Sequence, residues 1–378
     1  MTTPQTQFDQ VYTSPNQYVQ GRDLIDRADR YVSPFGSVPY IICDETVWKI
    51  AGEKLFNTLK DADMDVSRAE FRGEASIQEI ERLVADAKEK KADVVVAVGG
   101  GKASDTGRAV ASLSKIPVAV FPTAVSADAP TARASVLYTE DGAFDQYMFY
   151  PKNPEIVCVD TRIIAGAPVR TTRSGIGDAL ATAIEARAVH AAGANRMDDT
   201  ARPTIAGMVL AEACEKVLFD YGEQALADNK AGIPSVALAN ICEANTLLSG
   251  LGFENGGLAA AHAIHNGFTA LEGDIHHCTH GEKVSFACVV QLVLQGTPQK
   301  ELEKYLDFME RLELPTTMAD IHLDKVSDED LMKVAVASCD PSETMKQMQG
   351  TITPDDVFEA IKAADVAART FRAQRDKQ

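Results

Sequence analysis

Five of the seven histidines, His262, His265, His276, His277 and His280, fall within a stretch of nineteen residues. His262 and His265 stand three apart in a segment of helical periodicity, so they project from one face. The pattern breaks around Glu272-Gly273-Asp274, and His280-Gly281 opens a second helix. Two helices can thereby aim imidazoles at a common point. Neutral imidazoles suit zinc or iron, and one carboxylate would complete a three-ligand site with a position left open for substrate. That carboxylate has to come from elsewhere in the chain. Asp178, in Ser174-Gly175-Ile176-Gly177-Asp178-Ala179-Leu180-Ala181-Thr182, is expected in the first turn of a helix. It reads equally as a ligand and as a charge set against the helix dipole. His265 reads as a proton relay or as packing beside His262, and Cys278, inside the cluster, as a spectator ahead of a ligand.

A second constellation suits phosphate. The apolar run Val94–Val98 leads directly into Gly99-Gly100-Gly101-Lys102-Ala103-Ser104-Asp105, and a helix follows. Glycines let backbone N–H groups approach phosphate oxygens, and a helix N-terminus adds partial positive charge. Neither common nucleotide motif is matched: Ala103 stands where a Walker loop needs Ser or Thr, and Ser104 replaces the third glycine of GxGxxG. Asp44, at the end of the first clear strand, could accept hydrogen bonds from a ribose diol or cap the helix that begins there. Asp128, before Ala129-Pro130, could face a substrate hydroxyl or initiate a turn.

The elements that must position these groups fall into two textures. Up to residue 161, β-branched runs at 38–43, 92–98 and 116–121 alternate with amphipathic stretches near 45–60, 76–90 and 103–114. Such alternation implies a parallel sheet covered by helices. The segments 134–139 and 146–150 around Glu140-Asp141-Gly142 form a hairpin, and 155–160 is the last strand. Beyond that, apolar spacing of three to four marks helices near 204–220, 234–249, 257–271, 281–295, 299–312 and 355–374. The expected organisation is therefore an α/β dinucleotide-binding domain over 1–161 and an all-α metal- and substrate-binding domain over 162–378.

Composition narrows the setting. The chain has 378 residues and a formal net charge of −18, which would repel nucleic acid and anionic membranes. The acidic balance reads as a solvated surface, with salt adaptation as the sharper alternative. No apolar run approaching the length of a membrane span is expected, and Met1–Ser14 shows no secretory pattern. Seven scattered cysteines without a CxxC pair suit reduced thiols and a cytoplasmic location.

Taken together, the motifs resemble one known family. Gly-Gly-Gly-Lys-x-x-Asp at 99–105, Phe121-Pro122-Thr123-x-x-Ser126-x-Asp128-Ala129-Pro130, Gly175-Ile176-Gly177-Asp178-Ala179-Leu180, Gly256-Gly257-Leu258-Ala259-Ala260-Ala261-His262-Ala263-Ile264-His265-Asn266-Gly267 and His280-Gly281-Glu282-Lys283 occur in the order seen in iron-containing (group III) alcohol dehydrogenases. Within that superfamily they are similar to the zinc-dependent glycerol dehydrogenase branch. The resemblance implies the dehydroquinate synthase-like fold, NAD as cofactor, and Asp178, His262 and His280 as ligands of one Zn2+ per subunit. Iron-dependent members carry a further His four residues after this Asp, where this chain has Thr182. Zinc is thus expected ahead of Fe2+.

The same resemblance places the pyrophosphate on Gly99, Gly100, Gly101 and Lys102, with Ala103 and Asp105 in the same loop and helix, and the adenosine ribose on Asp44. The nicotinamide side would run along Thr123, Ala124, Val125 and Ser126, with Tyr138 nearby. Asp128 matches the acidic residue beside the polyol hydroxyls. Ala132 and Ala134 depart from the family's usual Ser and Leu beside the nicotinamide and substrate pocket, with Arg133 between them, and Asn255 replaces a small Ser. The implied reaction is hydride transfer between NAD and a polyol or keto substrate by a homo-oligomer. The alternatives are a sibling acting on a 2-oxo or 2-hydroxy acid or on glycerol 1-phosphate, and a dehydroquinate synthase-like lyase. In either sibling, Arg133 would be the pocket cation.

Overall fold

The computed structural model describes residues 9–140, 142, 144–196 and 201–375. Asp141 of the expected hairpin turn and the first eight residues of the N-terminal segment lie outside the described residues. Two compact units are present: one holds Thr13–Thr172 and Gln224–Gly250, the other Met1–Tyr12, Arg173–Glu223 and Leu251–Gln378. The change from strand to helix does fall after Asp160. The units nevertheless interleave along the chain, because the helical stretch Gln224–Gly250 belongs to the α/β unit.

In that α/β unit, six strands form one parallel sheet: β1 (Gln17–Gly21), β2 (Pro39–Cys43), β3 (Ser67–Glu70), β4 (Val94–Gly99), β5 (Val118–Pro122) and β8 (Ile156–Asp160). Their order across the sheet is β1-β8-β5-β4-β2-β3. β6 (Ala134–Tyr138) and β7 (Phe144–Phe149) make the expected antiparallel hairpin. The central strands β2, β4, β5 and β8 are buried along their whole length, as continuous apolar runs require when helices cover both faces. On one face Ile41, Cys43, Val96, Val98, Ala119, Phe121, Ile156 and Cys158 pack against Leu55 and Leu59. Each of the Val, Leu, Ile and Phe side chains among them contributes roughly 1.5–3 kcal/mol of burial, so this layer decides the register.

The edge strands β1 and β3 escaped the sequence reading. Gln17-Tyr18-Val19-Gln20-Gly21 and Ser67-Arg68-Ala69-Glu70 are mixed polar segments, half-exposed at the rims, and carry no apolar run.

The other unit is helical. Its helices include Ile205–Lys230 (in part), Ala260–Gly267, His280–Leu294, Gln299–Arg311, Asp328–Ser338 and Pro354–Arg375. Asp178 is the tenth residue of a helix running Val169–Ala192, not a first-turn residue. Pro168 marks the true start, and the polar run from Arg170 to Ser174 conceals it from periodicity. A dipole role for Asp178 is thereby removed, since that effect is confined to the terminal turns. The membrane reading also needs one correction. Val236–Gly256 is a 21-residue helical segment with mean hydropathy 1.2, long and apolar enough to cross a membrane, and 67% of its most apolar window is buried within the protein. A helix packed on several sides is apolar all round for the same reason as a span.

Candidate functional site

His280 is placed by local sequence. Thr279 and Glu282 form a capping box: the Glu282 N–H donates to Thr279 Oγ1 at 3.3 Å, and the Thr279 N–H donates to Glu282 Oε2 at 2.7 Å. This fixes His280 as the first helical residue, by about 1 kcal/mol.

The close approach of the Asp178 helix comes from two glycines. A Cβ on Gly177 would lie 2.5 Å from the Gly281 carbonyl oxygen, and a Cβ on Gly281 would collide with the Ser174 carbonyl. Only glycine at both positions lets the two backbones touch, and each glycine adjoins a candidate ligand. His280 Nε2 accordingly lies 3.0 Å from Asp178 Oδ1.

His262 comes from a third helix, Ala260–Gly267, which has no capping side chain of its own. Its first N–H groups are satisfied from other helices. Glu185 Oε1 accepts from Ala259 N–H at 2.8 Å and His262 N–H at 2.9 Å, and Gln291 Oε1 accepts from Ala261 N–H at 2.7 Å. His262 Nδ1 sits 2.5 Å from Glu185 Oε2, while its Nε2 faces Asp178 Oδ1 at 3.4 Å.

Asp178, His262 and His280 thus each offer one ligand atom, all within 4.8 Å of one another, and could hold a metal ion; Cys278 is not among them. Burial opposes the Asp178 charge, but the His280 and His262 imidazoles outweigh it and hold the carboxyl well below the usual carboxylate range. Burial also opposes a charge on His262, yet Glu185 and Asp178 raise its pKa. His265 is buried with its ring centroid 4.2 Å from that of His280, and burial followed by His280 drives its pKa down. Its Nδ1 lies 3.1 Å from Asn266 Oδ1. His276 bonds the Leu271 carbonyl at 2.6 Å, and His277 is an exposed neighbour of Asp274. Neither joins the trio.

The α/β unit gathers the other candidates at the carboxyl ends of β2, β4 and β5, where parallel sheets bind ligands. The chain reverses direction across the sheet between β2 and β4. Gly99 turns the chain at φ +148°, in a region other residues rarely adopt, and Gly100 precedes the helix Gly101–Ser114. A Cβ on Gly100 or Gly101 would meet nothing within 4 Å, so the backbone there faces open space that a pyrophosphate can fill. Thr123 N–H donates to the Gly99 carbonyl at 3.0 Å, tying the two loops together. Thr123 and Ala124 line a cavity of about 460 Å³ with Asp160 and Arg162.

Other predicted residues have partners that sharpen or shift their reading. Asp44 directly follows β2, and it caps the next helix by accepting from Val47 N–H at 2.8 Å. Lys102 pairs with Glu74 and stands 5.1 Å from the Tyr138 ring. Asp105 is buried and paired with Arg108, whose Nη1 also donates to the Ala129 carbonyl at 2.5 Å. It therefore anchors the loop helix from beneath. Ala103 and Val125 are buried. Asp128 accepts from Ser249 Oγ at 3.0 Å, and its side chain does not cap the Ala129–Thr131 turn. Ala132 is buried just before Ala134 opens β6, and Arg133 donates to the Tyr150 carbonyl at 3.2 Å. Asn255 is buried, and its Nδ2 donates to the Leu251 carbonyl at 2.9 Å within the same helix.

Glu185 was missed by sequence reasoning. The signal was present: a lone carboxylate seven residues after Asp178, on the same helix face, directly after the run Ala179–Ile184.

A parallel α/β unit with a glycine loop, and a helical unit with an Asp-His-His trio, define a metal-type alcohol dehydrogenase. The family description "Iron-containing alcohol dehydrogenase" matches residues 15–161. A glycerol dehydrogenase from Citrobacter freundii is 44% identical over 364 residues, covering 96% of this chain and 99% of its own. A glycolaldehyde reductase from Halobacterium salinarum is 40% identical over 362 residues, covering 96% and 99%. The crystal structure of glycerol dehydrogenase from Schizosaccharomyces pombe superimposes with a TM-score of 0.95 at 39% identity, covering 98% of this chain and 94% of that one. The chain belongs to the iron-containing alcohol dehydrogenase family, and it is an oxidoreductase similar to the family's glycerol dehydrogenases.

Proposed function

We propose that this chain is an NAD- and zinc-dependent dehydrogenase of small vicinal diols, oxidising glycerol to dihydroxyacetone. The observation that carries this reading is the convergence of Asp178, His262 and His280 on one point. Two nitrogens and one carboxylate leave a fourth tetrahedral position for a substrate oxygen, as in catalytic rather than structural zinc sites. Thr182, buried one turn after Asp178 on the same face, offers a hydroxyl in place of a further imidazole, which supports zinc over iron. When bound, zinc would supply Lewis-acid polarisation of a substrate hydroxyl, and NAD would supply the hydride acceptor.

The chain's own residues bind and orient. Gly99, Gly100, Gly101 and Lys102 would cradle the pyrophosphate, Asp44 would accept from the ribose diol, and Thr123–Ser126 with Ala132, Ala134 and Tyr138 would border the nicotinamide. Asp128, steadied by Ser249, would accept from a second substrate hydroxyl. That contact favours a vicinal diol over a simple alcohol. His265, on the same helix as His262, would relay the released proton. A cytoplasmic homo-oligomer is the accompanying reading.

The 40% identical relative named glycolaldehyde reductase favours a second reading, reduction of glycolaldehyde. The chemistry is shared, since glycolaldehyde and ethylene glycol are also an α-hydroxy carbonyl and its vicinal diol. The test is NADH formation or consumption by zinc-loaded protein with glycerol, ethylene glycol, dihydroxyacetone, glycolaldehyde, glycerol phosphate and a 2-oxo acid. Turnover confined to glycerol phosphate or the 2-oxo acid would overturn the diol assignment. A higher kcat/KM for glycolaldehyde than for dihydroxyacetone would select the second reading.

A further inference from the structure

We propose that Glu185 is a positioning residue for the metal centre: its carboxylate selects the His262 tautomer that leaves Nε2 available to bind the ion. The inference rests on the assignment of His262 as a ligand. Glu185 is fully buried, and both of its oxygens are engaged. Oε1 accepts the Ala259 and His262 N–H groups at 2.8 and 2.9 Å, and Oε2 lies 2.5 Å from His262 Nδ1. An ionised carboxylate can only accept, so the contact to Oε2 requires the ring proton on Nδ1. The lone pair of the neutral ring is then on Nε2, the nitrogen that faces Asp178. One side chain therefore caps the His262 helix and fixes the direction in which His262 can coordinate.

Substitution separates the two roles. In Glu185→Gln the amide oxygen can still accept the two backbone N–H groups, so the helix cap survives. The amide NH2 then faces His262 Nδ1 as a donor. That forces the proton onto Nε2, where it blocks coordination. Glu185→Asp keeps an acceptor for Nδ1 but is shorter by one methylene. A packing role ranks the isosteric Gln above Asp, whereas tautomer selection ranks Asp above Gln.

The experiment is zinc affinity by chelator competition for the wild type, Glu185→Gln, Glu185→Asp, Asp178→Asn and His262→Ala, with circular dichroism and melting of each metal-free chain. Glu185→Gln is expected to keep the wild-type fold and bind zinc about 10–100-fold more weakly, with Glu185→Asp in between. Wild-type zinc affinity in Glu185→Gln, or weaker binding by Asp than by Gln, overturns the inference. Should Glu185→Gln not fold, 15N-histidine spectra of the zinc-loaded wild type decide instead. A protonated Nδ1 and a metal-bound Nε2 on His262 support the proposal, and an unprotonated or metal-bound Nδ1 overturns it. If Asp178→Asn and His262→Ala also keep wild-type zinc, the metal-site reading itself fails. If they lose zinc while Glu185→Gln keeps it, only the role of Glu185 fails.

Discussion

Gly281 packs so tightly on Ser174 that its backbone leaves no room for a Cβ against the Ser174 carbonyl, and its own N–H donates to Ser174 Oγ at 3.3 Å. Because His280 is the preceding residue, this one contact sets how near an imidazole comes to Asp178. Gly281→Ala should push the two helices apart, at a cost of about 1–3 kcal/mol from overpacking. Zinc affinity should fall alongside the melting temperature. A Gly281→Ala protein with wild-type melting and zinc content would show that the crossing does not place the ligands.

The three proposed ligands should fail together. Asp178→Asn, His262→Ala and His280→Ala are each expected to strip zinc and to lower kcat/KM by several kcal/mol of transition-state stabilisation, on the order of a thousandfold. Chelation of the wild type should do the same, reversibly. NADH binding should persist, because the glycine loop belongs to the α/β unit. Metal analysis with NADH fluorescence titration checks both halves; full zinc and turnover in all three variants would remove the assignment.

The open space above Gly100 makes the loop testable without unfolding it. Gly100→Asp has room for its side chain, yet it sets a carboxylate against the expected pyrophosphate. NADH should bind at least about tenfold more weakly, by charge repulsion at the helix N-terminus. Stability should change little. Unchanged NADH affinity would place the cofactor elsewhere.

Asp105 gives a pH dependence. Burial raises its carboxyl to about 6, against the pull of Arg108. The folded value thus exceeds the ordinary unfolded value of about 3.9. Its stabilising contribution is complete below the unfolded pKa and is lost as pH rises through about 6. Asp105→Asn lacks this titration. The melting temperature of the wild type relative to Asp105→Asn should therefore rise as pH falls from about 6 toward about 4. A constant difference across that window would contradict the raised value. Asp105→Ala should be much worse, at about 3–5 kcal/mol, because Arg108 would be left buried without its partner.

Much of the protein was legible in its residues. The four buried strands are continuous apolar runs, and burial on both faces is the physical reason such runs exist. His262 and His280 emerged from clustering, the Gly99–Gly101 loop from its place between strand and helix, and the His280 helix start from the break around Glu272-Gly273-Asp274. Those are local signals, carried by neighbours in the chain.

The rest depends on contacts that cross the chain. Asp178 could be joined to the histidines only through family motifs, because 84 residues separate it from His262 and nothing local distinguishes a ligand from a solvated carboxylate. Three helices had to fold before the Asp178 carboxylate met two imidazoles. Glu185 is the clearest case. Its importance lies in capping a helix 74 residues away from its own position and in setting one ring proton. The edge strands β1 and β3 likewise became strands only by pairing with β8 and β2, since polar segments gain their order from the neighbour's hydrogen bonds rather than from their own burial.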